Sequence, residues 1–146
     1  MQIRNLFAAT ALGFSLLATP ALAEVVNYHA DLKAADEVPP NDSTGSGSLD
    51  ATYDTESKVL AWTISYNGLT GPVTKAHFHG PADPGENADP VVPLDGDLTV
   101  NPIEGQATLT DDQAGDLDAG KWYFNLHTDQ YPDGEVRGQM MKASGM

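Results

Sequence analysis

Apolar and polar residues alternate with a period of two along most of this chain. From 25 to 32, Val26, Tyr28, Ala30 and Leu32 fall on one side of an extended backbone, with Asn27, His29 and Asp31 on the other. That is the pattern of a half-buried strand. The alternation returns at 47–55, around Leu49, Ala51 and Tyr53, and at 59–66, where Leu60, Trp62, Ile64 and Tyr66 share a face. The segment 54–58 between them reads as a hairpin turn, and Asn67-Gly68 and Gly71-Pro72 then break the chain. Further strands are expected at 75–79, 105–110, 121–128 and 134–141. The extended run 91–100 contains Pro93 and Gly96, which suits an edge or bulged strand. Residues 36–47, with Pro39-Pro40, and 80–89, rich in Pro, Gly and Asp, read as loops. Thr110-Asp111-Asp112-Gln113 has the form of a capping box and predicts a helix of about two turns running to Leu117 and ending at Gly120. Seven or eight short strands with one short helix predict an antiparallel β-sandwich. Its core should be dominated by Trp62, Ile64, Phe78, Trp122, Phe124 and Leu126.

Strand parity also places the candidate chemistry. In 75–81, Lys-Ala-His-Phe-His-Gly-Pro, His77 and His79 point one way and Phe78 the other. In 122–128, Trp-Tyr-Phe-Asn-Leu-His-Thr, Trp122, Phe124 and Leu126 share one face, and Tyr123, Asn125 and His127 the other. If Phe78 and the Trp122 stripe face the core, all three histidines leave the sheet on its opposite side. Neutral imidazole binds zinc, copper, iron and nickel well, and three nitrogen donors leave a position open. His77, His79 and His127 are therefore the candidate metal ligands, with copper or zinc as the ion. His29, the fourth histidine of the chain, lies on a polar strand face and is a candidate additional ligand. Glu37, in the loop before Pro39-Pro40, is a candidate outer carboxylate that orients a histidine. The competing expectation is that these imidazoles and Glu37 serve only local hydrogen bonds.

The remaining motifs carry less. Glu135 and Arg137 share a strand face and read as an in-sheet pair, with Arg137 bridging to a neighbouring carboxylate. Asp95-Gly96-Asp97 and the acidic stretch 111–118 lack the spacing of an EF-hand loop and read as turn and helix-start chemistry. No serine has a Gly-x-Ser-x-Gly context, and no glycine-rich phosphate loop is present.

The first 23 residues change the picture of where the domain acts. Arg4, an apolar stretch from 6 to 18 and Ala21-Leu22-Ala23 have the form of a secretory signal peptide cleaved before Glu24. No twin arginine is present, so the general secretory route is expected, and without cysteine there is no lipobox. The domain expected to remain is 24–146, periplasmic or secreted, with no membrane-inserted segment. Its size suits one core. Zero cysteines exclude disulfides, thiolate chemistry and blue-copper sites. The chain carries 21 acidic and 7 basic residues, a net charge of −14. Such a charge repels phosphate backbones and anionic lipids, which excludes nucleic-acid and membrane-surface partners. The partner classes left are a metal ion and another exported protein.

Four ordered motifs carry a family resemblance: Ala30-Asp31-Leu32 with Asp36-Glu37-Val38-Pro39-Pro40; Ala76-His77-Phe78-His79-Gly80-Pro81-Ala82; the run 120–128; and Pro132-Asp133-Gly134-Glu135-Val136-Arg137-Gly138-Gln139. Together they resemble the CHRD domain, named from chordin and also found in bacterial exported proteins. The resemblance spans nearly all of 24–146. It implies an immunoglobulin-like β-sandwich. In chordin such domains belong to an extracellular protein that binds growth factors, while for bacterial members no activity follows from the name. The chain departs from the common form at Ala34-Ala35, where many members carry a glycine-containing turn.

Three functions are thus expected to compete. The first is an exported domain holding copper or zinc through three histidines, the second a metal-free interaction module. The third is a redox enzyme, since His-x-His with a distant histidine on a sandwich is similar to the copper site of Cu/Zn superoxide dismutase. That enzyme's zinc site needs further His and Asp ligands, and only His29 remains to supply one.

Overall fold

The computed structural model describes residues 17–144. Most of the signal-peptide assignment, residues 1–16, therefore falls outside the described residues. Nine strands form the domain: β1 (Val25–Lys33), β2 (Ser46–Asp54), β3 (Val59–Asn67), β4 (Lys75–His79), β5 (Pro90–Pro93), β6 (Ile103–Thr108), β7 (Tyr123–His127), β8 (Val136–Gln139) and β9 (Met141–Lys142). One α-helix, α1 (Asp111–Asp118), lies between β6 and β7. Among the described residues, no helix is long and apolar enough to cross a membrane.

All strand pairings are antiparallel, in the order β5-β4-β7-β8-β1-β2-β3-β6, with β9 added beside β1. The sheet folds over on itself. Trp62 of β3 meets Phe78 of β4 edge-on at 5.1 Å between ring centroids, although the two strands stand five places apart in the sheet. The expected sandwich is present as one continuous, nearly closed, barrel-like sheet whose two halves share a core. Phe78 also packs on Phe124 at 4.9 Å and on Trp122 at 5.8 Å. All six core residues expected from the pattern are buried, and Tyr28, Leu117 and Met140 join them.

Local chemistry sets the turns. The Asp54 carboxylate accepts from the amides of Glu56 and Ser57 at 2.9 and 2.8 Å, which closes the β2–β3 hairpin. The Thr110 hydroxyl accepts from the Gln113 amide, and the Gln113 side chain accepts from the Thr110 amide, so the capping box forms as the sequence indicates. Gly120, at φ +72°, ends α1 with bonds from its own amide to Leu117 and from the Lys121 amide to Asp116. This is the Schellman pattern, which favours glycine in the left-handed position.

Two strand expectations are corrected. The run 91–100 is extended only as the four-residue edge strand β5, because Pro90 and Pro93 cannot continue a ladder. The last strand, expected as one piece over 134–141, divides into β8 and β9. Met140 between them turns into the core, and its amide bonds to the Trp122 carbonyl. Ala34–Asp36 forms a single 3-10 turn, closed by the Glu37 amide donating to the Ala34 carbonyl, in place of a glycine turn.

Candidate metal centre

Antiparallel register brings the histidines together. In the β4–β7 ladder, Lys75 lies opposite His127, His77 opposite Asn125, and His79 opposite Tyr123. His77 thus faces Asn125 directly, with His127 one diagonal step away on the same face. Ring centroids are 5.0 Å apart for His77 and His127 and 5.5 Å for His77 and His79. One nitrogen from each ring lies within 4.8 Å of the others. Among the described residues this is the one group of three or more His, Cys, Asp or Glu side chains placed to share an ion.

The face bearing the cluster is not open to solvent. All five residues of β7 are buried, those facing the core and those facing away alike. Loops cover the outer side. Arg137 lies 3.4 Å over the Tyr123 ring, whose other neighbour is the His79 imidazole, stacked at 4.6 Å and 4°. The Arg137 guanidinium donates to the Asn87 side chain and to the Glu86 carbonyl. The Tyr123 hydroxyl donates to the Ala88 carbonyl and accepts from the Ala88 amide. These contacts hold 86–88 over the cluster. His79 and His127 are 8% and 7% exposed, while His77 is half-buried and gives the cluster its access to water.

Hydrogen bonds decide which nitrogens are available. His79 Nδ1–H donates to the Ala88 carbonyl at 2.9 Å, and His127 Nδ1–H donates to the Pro132 carbonyl at 2.9 Å. In a neutral imidazole the other nitrogen then carries the lone pair. Nε2 of both rings points inward, and His77 Nδ1 stands 3.2 Å from His127 Nε2. A histidine that gives one N–H to a carbonyl and turns its other nitrogen to a shared point is the usual arrangement of a metal ligand.

The electrostatics keep these rings neutral. Burial, then the neighbouring His127, His79 and Lys75, push His77 down to about 4. Burial also lowers His79 and His127, with the Ala88 and Pro132 carbonyls pulling the other way. At neutral pH each ring therefore offers a free electron pair.

The other predicted residues fall elsewhere or act differently. His29 is not brought to the cluster. It is partly exposed and bonds to Asp50 at 2.7 Å and Asp31 at 3.2 Å. The Asp50 bond leads in raising its pKa, with Asp31 adding to it. The role of additional ligand is corrected accordingly. We expect His29→Ala to leave metal affinity unchanged within about twofold and stability within ~0.5 kcal/mol, as for other surface changes; titration calorimetry and a thermal melt check both.

Glu37 does lie close to Asn125 at the cluster, 5% exposed, but it makes no hydrogen bond to a described histidine. Its carboxylate meets the Asn125 amide, and a Cβ placed on Gly134 would collide with both groups. Glycine at φ +130° is what lets them approach. Burial pushes the Glu37 carboxyl up to about 7, against the pull of Arg137 and the Asn125 amide.

Glu135 and Arg137 do not pair. Glu135 is fully buried and accepts from the Ser43 hydroxyl at 2.6 Å, the Thr128 hydroxyl at 2.6 Å, and the Thr70 amide and hydroxyl at 2.8 and 2.9 Å. Burial pushes this carboxyl up, but those donors outweigh it and hold it below its ordinary range. Among the described residues Arg137 bridges to no carboxylate, because Tyr123, the Glu86 carbonyl and the Asn87 side chain take its guanidinium. Asp97 accepts from the amide and hydroxyl of Thr99, as turn chemistry predicts.

Asn125 is the residue the sequence reading missed. Its Oδ1 stands 3.0 Å from His79 Nε2 and 3.0 Å from His127 Nε2. Asparagine is depleted in strands. One in mid-strand, sharing a face with His127, was the available signal.

An antiparallel β domain with three converging imidazoles under a loop cover defines the class. Residues 28–140 match the CHRD domain, and the chain belongs to that family. No curated protein and no solved structure matches it.

Proposed function

We infer that this CHRD domain is an exported protein that binds a transition metal, copper or zinc, through His77, His79 and His127. One observation carries the reading. Two of the three rings have their Nδ1–H tied to backbone carbonyls, so their Nε2 lone pairs turn into the cluster, where one nitrogen from each of the three rings lies within 4.8 Å of the others. A cluster that served only local hydrogen bonds would have no need of two inward-facing Nε2 acceptors beside a third imidazole. With no thiolate in the chain, the all-nitrogen set suits zinc or copper(II). Holding the ion is favoured over a dismutase-like pair of metals, because His29 is engaged with Asp50 and Asp31 and supplies no second centre.

Metal analysis of tag-free protein, followed by calorimetric titration with zinc and copper(II), tests the reading. Near-stoichiometric binding supports it. Absence of tight binding to either ion overturns it and leaves the metal-free interaction module.

Export is part of the same proposal and has its own check. Intact mass of the protein recovered from the periplasm or medium should place the N-terminus at Glu24; retention of residues 1–23 would refute cleavage.

A further inference from the structure

Resting on the three-histidine reading, we propose that the side-chain oxygen of Asn125 is a fourth donor, set in place by Glu37, and that the site is closed around its ion. Asn125 Oδ1 is 3.0 Å from each of two inward-facing imidazole nitrogens, and His77 Nδ1 is 3.2 Å from one of them. The edge of a tetrahedron with metal–ligand bonds of 2.0–2.1 Å is about 3.3 Å. These three separations are close to that edge, and the three histidine nitrogens lie within 4.8 Å of one another.

The polarity of these atoms points the same way. His79 and His127 have given their Nδ1–H protons to carbonyls, so each turns an acceptor toward Asn125. Asn125 answers with a further acceptor only if its amide is held oxygen-inward. Glu37 does this. Its carboxylate lies beside the Asn125 side-chain nitrogen on the far side, both crowding the space above Gly134. A negative group on that side favours the amide with its nitrogen outward and Oδ1 inward. Glu37 is nearly fully buried, and its Oε1 has no well-formed partner of its own. A buried, incompletely paired carboxylate is costly to keep. Orienting the oxygen donor of a cation site gives it a use.

With both Nδ1 protons given to carbonyls, two nitrogens and an oxygen stand together as acceptors, an arrangement that a cation between them would stabilise. Three imidazoles alone would leave a position for water or substrate, as catalytic sites do, whereas four protein donors make the closed arrangement of a holding site. Asn125 therefore separates storage or transfer of the ion from chemistry upon it. Glu37 is a positioning residue that acts through Asn125.

The test uses tag-free protein loaded with zinc for affinity and with cobalt(II) for its visible spectrum, with azide as the probe of an open position. In wild type the cobalt spectrum should not change with azide. In Asn125→Leu, zinc affinity should fall by about 10–100-fold, and azide should shift the spectrum. Asn125→Asp, which keeps an oxygen there, should bind zinc at least as tightly as wild type and stay azide-insensitive. Glu37→Leu should become azide-sensitive, and Glu37→Gln, which retains an acceptor, should not. A wild-type spectrum that shifts with azide overturns the closed site. Unchanged zinc affinity in Asn125→Leu overturns the fourth donor while leaving the three histidines in place. Failure of wild type to bind zinc or cobalt at all overturns the histidine reading itself. Equal azide-insensitivity of Glu37→Leu removes Glu37 from the account.

Discussion

Replacing His79 with alanine is expected to reduce zinc and copper(II) affinity by more than the about 10–100-fold that loss of an outer hydrogen-bond partner costs, because a donor itself is removed. His127→Ala should behave alike. His77→Ala should lose as much ligand chemistry with less disturbance of the fold, since His77 is the most exposed of the three. Binding to the folded state should raise Tm, and the rise should vanish in the His77→Ala/His79→Ala protein. Calorimetry and thermal melts decide this. Equal affinity in that double variant and wild type would dismiss the site.

The pH dependence has a definite sign. All three folded-state pKa values lie below the ordinary 6.5, with His77 at about 4. Protons therefore begin to displace the metal at lower pH than they would from free imidazoles, and affinity should hold through pH 6 before it falls. In the metal-free protein the unfolded chain takes up these protons first. The contribution of the cluster is complete above about 6.5 and is lost as pH drops toward 4. Glu37 opposes this: its raised carboxyl favours the folded state at low pH and loses that advantage between its ordinary value and about 7. His77→Ala should flatten the acid side of the stability profile. An unchanged acid limb in that variant would show that the ring is not held neutral by its surroundings.

Trp122→Ala is expected to cost about 3–5 kcal/mol, the range for emptying a large aromatic site. Trp122 is fully buried, packs on Phe78 and lies so close to Gly80 that a Cβ there would strike its indole. For a domain of this size, a loss of ~3–5 kcal/mol lowers Tm by more than about 10 °C. The change should also loosen the cluster, because Trp122 immediately precedes the strand that carries Asn125 and His127. Denaturant melts measure the first effect and metal titration of the folded fraction the second. A cost below about 1 kcal/mol would mean that the Trp122 face is not the core.

How much of this was legible in the sequence follows from particular residues. Period-two alternation put Phe78, Phe124 and Leu126 in the core and His77, His79 and His127 on the opposite face. That parity is a local property of extended backbone, needing no knowledge of partners. The capping box at Thr110 and Gln113 and the turn at Asp54 were likewise local, since each closes through side chains within three residues.

Tertiary structure decided the rest, for reasons that lie far along the chain. The β4–β7 register, which sets His77 opposite Asn125, depends on pairing between segments some 50 residues apart. Burial of the polar face came from loops. The Ala88 and Pro132 carbonyls that fix the two imidazoles belong to segments whose composition announces only turns. His29 matched the others in type and face polarity, yet strand order placed it beside Asp50 on β2. Glu37 was expected to orient a histidine, but the side chain it lies beside is that of Asn125, because the approach over Gly134 brings those two groups together. Alternation along a strand fixes which way a side chain points. What it meets there is set by register and loop closure, and these depend on the free energy of the whole packed chain.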